Sequence, residues 1–330
     1  MKKLISVLLL VSLLGALLCG CGKNREMYNA NLTKYITPGE YKGFEIDTKG
    51  SEYTKIHKEF YDEVITNNLV EVTEGVAALG DLVVIDYVGK KDGVPFDRGS
   101  AEKHELELGS NSFIEGFETA IVGHKFGTSF DINLTFPTSY LNEELAGEDV
   151  VFEIKLHSKK VAPEVNDAFA QKLGFANVDA FEADLKDRAL KQFCFSKVAA
   201  NFKTTDYPEK ELEVYYQSIV DYYTAMAQSY NITFADFLMA NNVTEEQFKN
   251  QMVTYQIKPS MQNEMYLYYI LDKEKLEISN DKINELIKEA AEAQNQTVAD
   301  LKKSKQAYVF EVMAVKEIVL DYLVANAVIK

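Results

Sequence analysis

Two hydrophobic periods divide the chain. Between Gly80 and Lys160 apolar residues recur at every second position: Val83, Ile85 and Tyr87, then Phe130, Ile132 and Leu134, then Val150, Phe152, Ile154 and Leu156. That alternation is the mark of half-buried strands. Asp92-Gly93 supplies a turn that accepts positive φ ahead of Val94-Pro95-Phe96-Asp97, and a further strand fits Leu106-Glu107-Leu108. The period changes once inside this stretch. Phe113, Phe117, Ala120 and Ile121 share one helical face, and Ser112 is placed to cap that helix. A sheet wrapped over one short helix is expected.

From Pro163 onward the period is 3.6 almost throughout, and Gly and Pro nearly vanish. Helix starts are expected at Asn177, Pro208, Thr233, Thr244, Ser279 and Thr297, each a cap or first-turn type ahead of an apolar run. Before Gly80 the chain reads as a polar tether from Gly22, then the sequence YKGFEID, then a helix from about Ser51 to Asn67. The class is α+β, an antiparallel sheet on one helix followed by an all-α part. The expected boundaries are 1–20, 21–79, 80–160 and 161–330.

Three segments in the strand-rich stretch, FIEGFETAIVGHKFG, FPTSYLNEELAG and VVFEIKLHSKK, succeed one another in a known order. Over about 80 residues they resemble the FKBP-type peptidyl-prolyl isomerase domain, in the version carried by trigger factor. The next stretch, PEVNDAFAQKLGFANVDAFEADLKDRALKQF, resembles the segment on the C-terminal side of that domain in the same family. The resemblance implies a prolyl pocket of Tyr87, Phe96, Asp97, Phe113, Ile114, Phe117, Tyr140 and Phe152. One wall position that is usually aromatic in the family is His104 here. The family also implies that residues 163–330 form a chaperone domain with arms around a cleft, whereas periodicity alone equally allows a plain bundle. In cytoplasmic trigger factors a Gly-Phe-Arg-x-Gly-x-x-Pro loop docks on the ribosome. Gly43-Phe44 is followed here by Glu45, so no ribosome partner is expected.

The helical half is rich in Tyr and Met, among them Tyr215, Tyr222, Tyr266, Met239 and Met261. Such side chains suit adaptable binding of unfolded segments, although packing between helices explains most of them equally well. No cofactor is expected. Histidines at 57, 104, 124 and 157 have no metal-ligand spacing.

Met1-Lys2-Lys3 precedes the apolar run LISVLLLVSLLGALL, too short for a comfortable membrane span and of signal-peptide length. It ends in Leu18-Cys19-Gly20-Cys21, which matches a bacterial lipoprotein processing box with Cys21 as the lipidated residue; an ordinary cleaved signal or an uncleaved anchor is the alternative, and all three imply export. The expected location is the outer face of the cytoplasmic membrane. Cys194 is then the one thiol left free, so no disulfide framework is expected. Five Asn-x-Thr sequences, beginning at Asn31, Asn133, Asn231, Asn242 and Asn295, are read as chance in such a protein.

Net charge is -16, with 15 acidic against 8 basic residues between 80 and 160 and 26 against 18 from 161 onward. Acidity spread this evenly offers nucleic acid no basic face. The partners expected are unfolded or newly exported polypeptides carrying X-Pro bonds, with the membrane reached through the lipid. The function expected is a prolyl isomerase and folding chaperone. Its rivals are a catalytically weak client-holding lipoprotein and an adhesive one.

Overall fold

The computed structural model describes residues 27–303 and 308–330; the expected signal segment and the lipid site at Cys21 lie outside them. In chain order the elements are β1 (Ile36–Thr37), β2 (Glu45–Ile46), α1 (Ser51–Thr66), β3 (Val70–Val72), β4 (Leu82–Lys91), β5 (Val94–Glu107), α2 (Phe117–Ile121), β6 (Thr128–Thr135) and β7 (Asp149–Val161). There follow α3 (Asp167–Lys172), α4 (Val178–Asn201), β8 (Lys203–Thr204), α5 (Glu209–Ser229), α6 (Phe234–Ala240), α7 (Glu245–Met252), α8 (Lys258–Glu274), α9 (Asn280–Gln294), α10 (Val298–Lys303), α11 (Tyr308–Ala325) and β9 (Val328–Ile329). They form two compact units. One is Tyr61–Phe169; the other joins the described residues up to Phe60 with Ala170–Lys330.

The first unit is an antiparallel sheet in the order β3-β7-β4-β5, with β6 also beside β7. β7 is its spine. β4 lies along one side of it, while β6 and then β3 share the other, from Thr135↔Asp149 to Val70↔Val161. The inward residues of the alternation, Val83, Ile85, Phe152, Ile154 and Leu156, are buried together with Phe117 and Ile121 of α2. Asp92 and Gly93 both have positive φ, 52° and 79°, the backbone that a two-residue hairpin between right-twisted strands requires. β5 is longer than its pattern suggests, because the two expected pieces are the ends of one 14-residue strand.

The other unit is built from both ends of the chain. Met27, Tyr28, Leu32, Ile36 and Ile46 are buried in one core with α4, α8 and α11 residues such as Phe193, Met265 and Val319. β1 pairs with β8, and β2 pairs in parallel with β9 at the far end of the sequence. Residues 27–46, expected as tether and separate N-terminal segment, are thus part of the helical core. Polar residues between the buried ones hid this in the sequence.

The helix starts fall where caps were expected. Asn177 Oδ1 accepts from Ala180 N–H at 2.9 Å, and Thr233 and Thr244 each complete a capping box with Asp236 and Gln247. These caps also give three of the Asn-x-Thr sequences a structural role. Asn231, Asn242 and Asn295 end α5, α6 and α9 in the left-handed conformation, φ 59°, 54° and 52°. Two residues later Thr233, Thr244 and Thr297 accept the first amides of the next helix. Asn tolerates that conformation and Thr satisfies orphan amides, so Asn-x-Thr is a complete helix-to-helix joint. Pro259 has no N–H to continue an α-helical ladder, and the backbone at 253–257 widens to a π-helix just before it.

Candidate functional site

Alternation on three strands, together with α2 and its approach, brings one set of rings together in the Tyr61–Phe169 unit. Tyr87 of β4 stands edge-on to Phe113 at 5.3 Å between centroids, to Phe117 at 6.0 Å and to Phe152 at 6.3 Å. Phe113 stacks on Phe117 at 4.2 Å, and Phe117 meets Phe152 at 5.1 Å. On the other side Phe96 contacts Phe152 at 5.9 Å and Phe136 at 5.8 Å, and Phe136 contacts Tyr140 at 4.5 Å. Edge-to-face contacts of this kind set the positive rim of one ring against the negative face of another. Phe117, Phe136 and Phe152 are buried, while Tyr87, Phe96, Phe113 and Ile114 keep part of their surface in solvent. The unit thus presents an aromatic wall with a partly open face.

His104 belongs to this wall. It lies opposite Ile85 in the β4–β5 register, 5.7 Å from Tyr87 and 5.5 Å from Phe113, both edge-on. Burial pushes the Tyr87 hydroxyl above its ordinary pKa, so it stays a neutral donor at physiological pH.

Seven of the eight expected pocket residues join the cluster or pack on it, and Asp97 does not. Its side chain is 96% exposed, with Arg98 as its charged neighbour at 3.8 Å. The cause is the period of the strand: with Phe96 turned inward on β5, the next side chain must point outward. Tyr140 sits at the rim, 40% exposed.

Three features escaped the sequence argument. Phe136 continues the parity of Phe130, Ile132 and Leu134 just past the end of β6. Gly89 and Gly99 matter because a Cβ on either would lie 2.3 Å from the Phe96 ring; they are glycine for close approach, not for backbone freedom. Glu118 is the third. Its buried carboxylate accepts from the backbone N–H groups of Gly109 at 2.7 Å, Asn111 at 3.1 Å, Ser112 at 2.8 Å and Phe113 at 3.2 Å.

That carboxylate also corrects the helix. α2 starts at Phe117 behind a left-handed Gly116, and Ser112 is not its cap, because the Ser112 amide is held by Glu118. Burial pushes the Glu118 carboxyl up, the four amides outweigh it, and the net shift is below the ordinary carboxylate value. An ionised Glu118 therefore fixes the 109–113 turn and, through it, Phe113.

Residues 74–157, which contain this whole wall, match the family of FKBP-type peptidyl-prolyl cis-trans isomerases. Trigger factor of Latilactobacillus sakei is 32% identical over 278 residues, covering 78% of this chain and 64% of that protein. Trigger factor of Limosilactobacillus fermentum is 35% identical over 239 residues, 66% of this chain and 54% of the relative. That of Staphylococcus epidermidis is 31% identical over 287, covering 81% and 65%. This chain is a trigger factor homologue with an FKBP-type domain. It spans between about half and two thirds of the length of these relatives, 54% to 65%. A solved trigger factor chaperone structure matches at 14% identity and a TM-score of 0.32, over 88% of this chain and 72% of that one.

Proposed function

We propose that the FKBP-type domain catalyses cis–trans interconversion of X-Pro bonds, and that the helical unit holds unfolded client polypeptide during the reaction. The supporting observation is the wall of Tyr87, Phe113, Phe117 and Phe152, aromatic and partly open. Rotation about an X-Pro bond is opposed by amide resonance, a barrier of roughly 18–20 kcal/mol. Resonance separates charge that water stabilises, and the twisted amide has lost it. An aromatic surface that replaces water thus disfavours the planar ground state relative to the twisted one, with no nucleophile, base or metal. Here the flat rings receive the pyrrolidine, Tyr87 offers its neutral hydroxyl to the peptide, and Glu118 keeps Phe113 in place.

The test is cis–trans exchange in a Phe-Pro tetrapeptide, monitored by NMR. Acceleration by the chain that Phe152→Ala removes is expected; an unaltered rate with folded protein would overturn the assignment. A second reading, a client holder with weak catalysis, is favoured by His104, which puts a polar ring in the wall. His104→Phe separates the two, because it should raise catalysis only if that ring limits it.

We further propose that Cys21 carries a lipid and that the protein works on exported chains at the outer face of the cytoplasmic membrane. Support comes from the basic start, the apolar run and the processing box of the sequence. Cys21→Ser should abolish labelling by a fatty-acid analogue; undiminished labelling would sink the anchor. Action away from the ribosome accords with Gly43 and Phe44, whose backbone groups pair with Asn326 O at 2.9 Å and Val328 N–H at 2.8 Å.

A further inference from the structure

We propose that residues 27–46 are the rigid root of the membrane anchor, planting the helical unit on the lipid surface by its Tyr28 end on a leash of six residues. The inference rests on the lipid at Cys21 proposed above and adds where, and how closely, the protein meets the membrane.

Met27 and Tyr28 are only 2% and 0% exposed. The Tyr28 backbone N–H donates to Glu211 Oε1 at 2.8 Å, its hydroxyl donates to Glu264 Oε2 at 2.9 Å, and its ring lies 4.8 Å from that of Tyr268. Glu211 is itself buried, so drawing Tyr28 out would strip a hydrogen-bond donor from the Glu211 and Glu264 carboxyl groups at once. The segment is fastened again downstream. Leu32 and Ile36 are buried, Ile36 and Thr37 pair with Thr204 and Lys203, and Tyr41 and Lys42 both bond to Glu274 at 2.6 Å. A pull on residue 27 is therefore borne by the helical core rather than by a slack chain.

From Cys21 to Met27 is six residues, and whatever their conformation they reach no further than roughly 21 Å. A tether running on to Tyr41, as the sequence suggested, would have allowed about 70 Å. The nearest landmark is the start of α5. Lys210 lines the same surface recess as Asn29 and Ala30. Tyr230, 73% exposed at the other end of α5, lies about 30 Å further along the helix axis. A net charge of -16 keeps the rest of the protein from lying down on anionic headgroups. The client-holding unit thus works within one protein diameter of the bilayer, on chains still leaving it.

The native thiols permit a direct measurement. Cys194 is buried and its thiol is pushed up to about 11, so it stays inert to maleimide at neutral pH, and Cys21 is blocked by lipid. Full-length lipidated protein, labelled with a fluorophore at Lys210→Cys or at Tyr230→Cys, is placed on phosphatidylglycerol vesicles carrying a headgroup quencher. Several-fold quenching is expected at 210 and little at 230, and 20 Gly/Ser residues inserted between Lys23 and Asn24 should remove most of the effect at 210. Equal quenching at both sites, or quenching at 210 that ignores the insertion, would overturn the rigid root. Failure of the unaltered chain to float with vesicles, matched by the Cys21→Ser chain, would instead sink the anchor itself and the leash with it.

Discussion

The two units differ in what their buried aromatic rings meet besides other rings. In the FKBP-type domain the rings meet other rings: Phe113 on Phe117, Phe117 on Phe152, Phe96 on Phe136. In the helical unit ring pairs such as Phe202 and Tyr266 also occur, and tyrosine hydroxyls are in addition met by carboxylates, Tyr28 and Tyr215 on Glu264, Tyr268 on Glu311, Tyr41 and Tyr322 on Glu274. A buried phenol needs a hydrogen-bond partner and a phenyl ring does not. The first arrangement leaves apolar surface available to a guest, while the second locks segments far apart in sequence into one register. Tyr266, Tyr268, Met261 and Met265 accordingly lie in the core, whereas Tyr230, Met239 and Tyr255 are exposed.

The largest effect expected from breaking this contrast comes from removing one end of the chain. Met27, Tyr28, Leu32, Ile36 and Ile46 each contribute about 1.5–3 kcal/mol by burial, roughly 10 kcal/mol together, which matches the stability of a typical domain. A chain beginning at residue 47 should therefore lose the cooperative thermal transition of its helical unit, seen by calorimetry. Residues 61–169 alone should still melt as one domain and isomerise a tetrapeptide. A helical unit that melts unchanged without residues 27–46 would dissolve the distinction.

Next in size are the rings themselves. Phe152→Ala should cost about 3–5 kcal/mol and most of the peptide activity, because Phe152 is only 4% exposed and borders Tyr87, Phe96 and Phe117. Gly99→Val tests the same packing from the opposite side. Its Cβ would collide with Phe96, so activity should fall although no ring is removed. Unfolding and peptide exchange, measured on the same samples, separate loss of fold from loss of site.

Much of this was legible in the sequence because strand parity is a local signal. Val83, Ile85 and Tyr87 on one strand and Phe152, Ile154 and Leu156 on another announce their inward face without reference to anything else. Caps are local too, as Asn177 and Thr233 show. The features that could not be read were non-local. Nothing near Met27 or Tyr28 tells that Glu211, Glu264 and Tyr268 will enclose them, and nothing near Glu118 tells that four amides of the preceding turn will converge on it. Asp97 fell between the two: resemblance placed it in the pocket, and the parity of its own strand turned it out.

The two units should also answer to pH with opposite signs through their key carboxylates. Glu118 has a folded pKa below the ordinary value, so its contribution is present above the ordinary carboxylate pKa and is lost as pH falls through the folded one. Glu264 is pushed up by burial, against the hydroxyls of Tyr215 and Tyr28 that pull it down, so its contribution is full below the ordinary pKa and is lost as pH rises through the raised one. Glu274, held down to about 2 by Lys42, Tyr322 and Tyr41, opposes Glu264 within the same unit. Melting the single variants Glu118→Gln and Glu264→Gln between pH 3 and 7 isolates each group. The first should flatten the acid-side loss of the FKBP-type domain, and the second the alkaline-side loss of the helical unit. The same slope in both variants would refute the assigned signs.

The smallest effect belongs to Asp97. A carboxylate 96% exposed, next to an equally exposed Arg98 at 3.8 Å, is held by water and not by the fold. Asp97→Asn should leave the melting temperature unchanged and alter peptide isomerisation by less than about twofold, since removing a solvated surface charge changes little at the wall. Tyr87→Phe provides the contrast: the ring stays in its edge-on contacts while the neutral hydroxyl is lost, and activity should fall several-fold with the fold intact. If Asp97→Asn lowers kcat/KM tenfold without unfolding, then bound peptide must draw the 94–98 hairpin arm inward. The pocket the family resemblance implied would then exist only with substrate in it.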